Sequence, residues 1–139
     1  MPFEGVPEPT RRRMSRVRKT GSKPEVLVRR LAHKLGYRFR INRRDLPGTP
    51  DIVFPGRRKV IMVHGCFWHQ HAGCRLANQP RTRTEYWLPK LARNVERDRR
   101  VEGSLRELGW SVLIIWECET EDPEALTQRL RDFLENPFD

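Results

Sequence analysis

Asp51-Ile52-Val53-Phe54-Pro55-Gly56-Arg57-Arg58-Lys59-Val60-Ile61-Met62-Val63-His64 is the stretch that decides the fold. Two short runs rich in β-branched and aromatic residues flank a Pro-Gly turn, the pattern of neighbouring strands joined by a tight connection. The first strand, 51–54, opens on a carboxylate. The second, 59–63, is almost wholly apolar and reads as buried. Upstream, Leu46-Pro47-Gly48 marks another turn. Before it, Tyr37-Arg38-Phe39-Arg40-Ile41 alternates apolar and basic residues, which predicts a strand with one wet, positive face. Ser22-Lys23-Pro24-Glu25 is a capping box with Pro in the first turn. Leu27, Val28, Leu31, Ala32 and Leu35 follow it at helical spacing, and Gly36 stops the helix.

Downstream of the paired strands, residues 64–83 are loop-like. A helix is predicted over 89–108, with Leu91, Val95, Leu105 and Leu108 on its apolar side and Gly109 at its end. Residues 110–116 form a strand whose continuous apolar run, Val112 to Ile115, suits the centre of a sheet. Asp122-Pro123 caps a last helix that points Leu126, Leu130, Phe133 and Leu134 inward. The order helix, three strands, helix, strand, helix implies one α/β domain, a small mixed sheet flanked by helices. Residues 1–13 contain three Pro, lack periodicity and end in Arg11-Arg12-Arg13. They read as a flexible basic arm, leaving 14–139 as the folded domain.

The chain has 139 residues, the size of one domain, and carries 28 Lys+Arg against 18 Asp+Glu, a net charge of +10. No apolar run approaches the ~18 residues of a membrane span. No secretory signal is read at the N-terminus either. The charge is uneven: +10 over residues 1–50, +6 over 51–116 and −6 over 117–139. Arg dominates the positive part, and its planar fork suits phosphate, so nucleic acid is the expected partner. Three Cys is an odd number. That suits metal ligation or core packing better than a disulfide framework.

His64-Gly65-Cys66-Phe67-Trp68-His69-Gln70-His71-Ala72-Gly73-Cys74 concentrates metal-ligating residues, and Cys118 follows the last strand. Cys66, His71, Cys74 and Cys118 would make a Cys3His site, a usual structural zinc set, though His69 could replace His71 on spacing alone. The segment has little apolar content of its own, so a metal tie could give it shape.

A carboxylate at the start of one strand, facing the end of the next, commonly holds Mg2+ for phosphodiester hydrolysis. Asp51 stands there. A restriction-type nuclease would add an acidic residue and a Lys near 62–64, where this chain has Met62-Val63-His64. His64, His69 and Asp98 are the titratable groups available to fill the gap. An Asp that accepts from a His ring N–H sets its tautomer and supports general-base action.

At these residues the chain resembles the very short patch repair endonucleases, the DNA mismatch endonucleases of bacteria. The matching pieces are Leu46-Pro47-Gly48-x-Pro50-Asp51, His64-Gly65-Cys66-Phe67-Trp68-His69, Thr82-Arg83-Thr84-Glu85-Tyr86-Trp87, Asn94-Val95-Glu96-Arg97-Asp98-Arg99-Arg100, and Leu108-Gly109-Trp110 through Trp116-Glu117-Cys118. The resemblance implies a restriction-endonuclease-like fold with a structural zinc on Cys66, His71, Cys74 and Cys118. It implies Mg2+-dependent nicking of one DNA strand, 5′ to the T of a T:G mismatch left by deamination of 5-methylcytosine. Carried over by position, Asp51 and the backbone carbonyl of Val63 ligate Mg2+, and Glu25 lies near the metal waters. His69, oriented by Asp98, activates the attacking water, and His64 assists at the phosphate. Phe67 and Trp68 would wedge into the duplex, with Trp87 beside them and Met14 on the arm. Two departures stand out: Val63 replaces a Thr common in the family, and the zinc loop is one residue longer.

The resemblance further implies a monomer in the bacterial cytoplasm, associated with the nucleoid, with double-stranded DNA as partner and mismatch-repair proteins as further candidates. Two alternatives compete with this reading. One is a sequence-specific nicking or restriction enzyme without a mismatch requirement. The other is a zinc-stapled DNA-binding module without catalysis.

Overall fold

The computed structural model describes residues 22–136, so Arg11, Arg12, Arg13 and Met14 of the expected arm lie outside the described residues. In chain order the elements are α1 (Lys23–Lys34), β1 (Ile52–Phe54), β2 (Lys59–His64), α2 (Thr84–Glu107), β3 (Ser111–Trp116) and α3 (Pro123–Glu135). Among the described residues the sheet has the order β1-β2-β3. The β1–β2 pair is antiparallel, with Ile52 opposite Ile61, and the β2–β3 pair is parallel, with His64 opposite Trp116. The sheet is therefore mixed, and the molecule is a small α/β structure, as expected. No helix of the described residues is long and apolar enough to cross a membrane.

Strand side chains alternate between the two faces, and here both faces are covered. Ile52, Phe54, Ile61 and Ile115 pack with Val28 and Ala32 of α1 and with Leu126, Leu130, Phe133 and Leu134 of α3. Val53, Val60 and Val112 pack on the other face with Leu105 of α2, Leu46 and Trp110. This two-sided burial explains a first correction. The apolar run in β3 is not the mark of a central strand; among the described residues β2 is central and β3 lies at an edge. The outward carbonyls of Val112 and Ile114 accept from Arg106 Nη2 (3.2 Å) and Arg129 Nη2 (3.1 Å). Guanidinium groups thus satisfy part of that edge, which would otherwise offer unpaired backbone.

A second correction concerns residues 37–41. Their alternation does describe burial: Tyr37 and Phe39 set their rings edge-on to Phe54, at 6.4 and 6.1 Å. Yet only Arg40 pairs with β1, through two bonds of 2.8 Å with Val53. Two residues on, Asn42 has a φ of 56°, which turns the chain off the extended path before a ladder can form. A third correction is the start of α2, which begins at Thr84 and contains Pro89. The amides of Tyr86 and Trp87 bond to the carbonyl of Arg83, so the helix is under way before the proline. Leu108 was expected inward, but it caps α2 and is 52% exposed.

Two local features position the site. Gly48 has a φ of +72°, and a Cβ there would lie 2.4 Å from Val101 on α2. The turn before Asp51 can press against α2 only with glycine at this position. At the other end of the β1–β2 pair, Lys59 is buried, and its ammonium donates to the carbonyls of Phe133 and Asn136. Arg57 adds a bond to the carbonyl of Leu134 (3.1 Å). These cations complement the negative end of α3. Lys59→Met should cost about 1–3 kcal/mol in chemical denaturation, because it strands buried carbonyls. A loss below the error of the measurement would show that the bonds add nothing.

Candidate active site and metal centre

Asp51 sits directly ahead of β1, and the N–H of Val63 donates to its Oδ2 at 2.7 Å. The antiparallel register brings the two together across the hairpin. Glu25 reaches the same place from the first turn of α1. It is buried, and Ser22 Oγ accepts from its backbone N–H at 3.5 Å. The Glu25 carboxylate accepts from Arg29 Nη2 at 2.9 Å. Burial pushes the Asp51 carboxyl up to about 7, against an ordinary value of 3.8. The Val63 amide opposes that rise, the neighbouring Glu25 adds to it by charge and hydrogen bond, and Arg29 opposes it. A carboxyl pair held so close at a half-buried position is chemically suited to a divalent cation, which would displace the proton.

The next residue of β2, His64, opens a second cluster. It is buried, and its ring stacks on His69 with centroids 3.9 Å apart and planes 9° from parallel. Trp116 presses edge-on at 5.2 Å. Burial, and then the His69 charge, lower the His64 imidazole to about 4, so it is neutral at physiological pH. His69 Nδ1 lies 2.6 Å from Asp98 Oδ2 on α2. His64, His69 and Asp98 are near enough to suggest a metal, but their geometry argues otherwise. Ligands of one tetrahedral metal at ~2.0–2.1 Å stand about 3.3 Å apart, well beyond 2.6 Å. Imidazole lone pairs also lie in the ring plane, and parallel planes do not converge on one ion. The arrangement is that of a histidine oriented by a carboxylate, with its second nitrogen left to exchange a proton.

Cys66, His71, Cys74 and Cys118 bring one donor atom each to within 4.8 Å of one another. His71 Nδ1 lies 3.7 Å from Cys66 Sγ and 3.5 Å from Cys118 Sγ. A zinc tetrahedron with Zn–S of ~2.3 Å and Zn–N of ~2.0 Å has edges of about 3.5–3.8 Å, so this donor set fits zinc in type and spacing. Burial pushes the Cys66 thiol up to about 12, so its thiolate form requires a cation beside it. The loop is wound by backbone bonds from His69 to Gly65 and from His71 to Cys66. His71 stacks flat on Trp116 at 4.2 Å. His71, not His69, joins the cysteines, because His69 is turned toward Asp98.

Phe67, Trp68 and Trp87 form a half-buried aromatic group beside this loop. Phe67 lies 5.2 Å from Trp68 and 5.8 Å from Trp87, and the two indoles are 5.8 Å apart. The rings stand outside both hydrophobic core clusters.

A family model described as DNA mismatch endonuclease Vsr matches residues 6–75. The type II nicking enzyme V.XorIIP of Xanthomonas oryzae pv. oryzae is 53% identical over 129 residues, covering 93% of this chain and 94% of that protein. The DNA mismatch endonuclease Vsr of Escherichia coli is 46% identical over 130 residues, covering 88% and 83% respectively. The chain belongs to the Vsr family. With its relatives it is a DNA endonuclease. The type II nicking enzyme V.NaeI of Lentzea aerocolonigenes, 42% identical over 92% of this chain, extends the same relationship.

Four residues of this Vsr family member escaped the reading of sequence as functional candidates. Trp116 supports both His64 and His71. Glu117 accepts from the Cys66 amide at 3.3 Å. Asn94 donates to the Trp68 carbonyl at 3.3 Å. Asn94 and Asp98 are four residues apart and so share one face of α2, which was the available signal. Arg29 was hidden for a different reason, since i,i+4 pairs on helices are common and usually sit on the surface.

Proposed function

We propose that this chain is a Mg2+-dependent mismatch endonuclease that nicks one strand of double-stranded DNA, 5′ to the T of a T:G mismatch. The observation that carries this reading is the junction at Val63-His64. Consecutive residues touch the Asp51 carboxylate on one side and the His69–Asp98 pair on the other. Asp51 and the Val63 carbonyl would hold Mg2+, with Glu25 beside its waters. When bound, the ion supplies charge stabilisation at the phosphate undergoing displacement. Asp98 fixes the proton of His69 on Nδ1, which leaves the other ring nitrogen to take the proton of the attacking water. Neutral His64 packs against that ring and limits its rotation, and would assist at the phosphate. The fold would be restriction-endonuclease-like over 14–139, with Arg11, Arg12, Arg13 and Met14 of the arm reaching the DNA.

Cys66, His71, Cys74 and Cys118 would hold a structural Zn2+. Cys118→Ser should lower bound zinc from about one per chain and reduce melting temperature sharply, since zinc binding is coupled to folding. A folded, active and zinc-free variant would refute the assignment.

The mismatch requirement is tested on the aromatic group. An apolar wedge spends a few kcal/mol to open a base step, and a T:G wobble lowers that cost. Trp68→Ala should reduce nicking of T:G duplexes while zinc content and melting temperature stay nearly constant. Unchanged preference for T:G over T:A would remove the wedge from the account. Equal nicking of both duplexes by the unaltered chain would favour the second reading, a sequence-specific nicking enzyme without a mismatch requirement; V.XorIIP and V.NaeI are named type II nicking enzymes.

A further inference from the structure

We infer that Arg29 is a built-in counter-cation of the Glu25–Asp51 carboxylate pair, fixing Glu25 in the absence of a divalent cation and weakening the hold on that cation when it binds. The inference rests on the reading of Asp51 and Glu25 as the Mg2+ site. Glu25 and Arg29 are one helical turn apart on α1, and their bond is 2.9 Å. The pair is not a solvated surface bridge. Its side chains are 10% and 18% exposed, and it flanks Val28 and Ala32, which are wholly buried against the sheet. In such a place an ion pair is only weakly screened.

Two ionised carboxylates in contact require a positive charge or a shared proton. Asp51 has the Val63 amide, a dipole and not a charge. Arg29 is a full positive charge beside the pair, bonded to Glu25 through Nη2 at 2.9 Å. Asp51, Glu25 and Arg29 together carry −1 when both acids are ionised. Without Arg29 they carry −2, a stronger attractor for a divalent cation and a less stable group in its absence. Arg29 is therefore a positioning residue. It holds Glu25 ready and keeps metal binding reversible.

The test uses the full chain without DNA, at pH 8.5, where protons do not compete. Mg2+ is titrated against melting temperature, starting from zinc-loaded protein in Mg2+-free buffer without a chelator, because a chelator would also remove a structural zinc. In Arg29→Met the melting temperature without Mg2+ should fall, and Mg2+ should restore most of the loss. The half-saturating Mg2+ concentration should drop about tenfold, the scale of one removed like charge at short range. Arg29→Lys should return the unaltered response. If Arg29→Met does not fold, Arg29→Gln, which keeps a hydrogen bond without the charge, carries the same expectations. A loss of stability identical with and without Mg2+, or a higher half-saturating concentration, would overturn the inference. If the unaltered chain showed no Mg2+ response in melting and nicked DNA without it, the Mg2+ reading itself would fall, and the inference with it.

Discussion

Asp51→Asn is expected to lower nicking by at least ~10³-fold at saturating Mg2+, because removing ~4 kcal/mol of transition-state stabilisation has that effect. Asparagine keeps the size of the side chain and can still accept the Val63 amide bond. What it lacks is the charge. Binding of duplex DNA should change little, since the affinity rests on Lys and Arg contacts to phosphate. Single-turnover nicking and a binding titration on the same duplex separate the two. A variant that nicks at near the normal rate would show that Asp51 does not hold the cation.

The same substitution has a second consequence, with the opposite sign. The Asp51 carboxyl is raised from 3.8 to about 7 in the folded chain. Such a group stabilises the fold below its ordinary value, and that contribution is lost as pH rises toward 7. His64 runs the other way, because its lowered imidazole costs stability as pH falls from 6.5 toward about 4. Comparing Asp51→Asn with the unaltered chain removes the His64 contribution from the difference. In Mg2+-free buffer without a chelator the variant should gain stability relative to the parent as pH rises from 4 to 7, and be the more stable protein above 7. At limiting Mg2+, nicking by the parent should rise with pH through about 7. More Mg2+ should move that midpoint down, since cation and proton compete for one carboxylate.

What the sequence disclosed was mostly local. The capping box at Ser22 and the spacing of Val28 and Ala32 specify α1 because each signal lies within a turn or two of the residues that it orders. The β1–β2 hairpin was legible for the same reason, with Pro55-Gly56 between two β-rich runs. The limits appear where a second partner decides. Residues 37–41 carry the alternation of a strand, but a ladder needs a neighbour along its whole length, and the turn at Asn42 ends the pairing after one residue. The run Val112 to Ile115 reports burial on two faces and is silent about which edge is paired. In the site, Cys66, His71, Cys74 and Cys118 stood out because three cysteines in this composition have few other uses. By contrast, Glu25 and Asp51 are 26 residues apart in sequence, and His69 and Asp98 are 29 apart. Only the sheet register and the packing of α1 and α2 bring each pair together. Those roles reached the sequence reading through family resemblance, not through spacing.

His69→Ala should reduce the single-turnover nicking rate by ~10²–10⁴-fold, the usual contribution of a general base. Asp98→Asn should lose most of that factor as well. The 2.6 Å contact to Nδ1 sets which ring nitrogen carries the proton, and an amide in place of the carboxylate can present an N–H there and reverse the tautomer. The double variant should then be little worse than His69→Ala alone, because a carboxylate with no imidazole to orient has nothing left to contribute. Losses that simply multiply would mean that the two residues act separately, with Asp98 one more charge near the phosphates and His69 serving without it. Zinc content is the control that makes the comparison sharp. His69 lies between Cys66 and His71 in the loop, so a substitution that loosened the loop would release metal. A slow variant that keeps its zinc has lost proton transfer, whereas one that sheds it has lost the scaffold on which His69 stands.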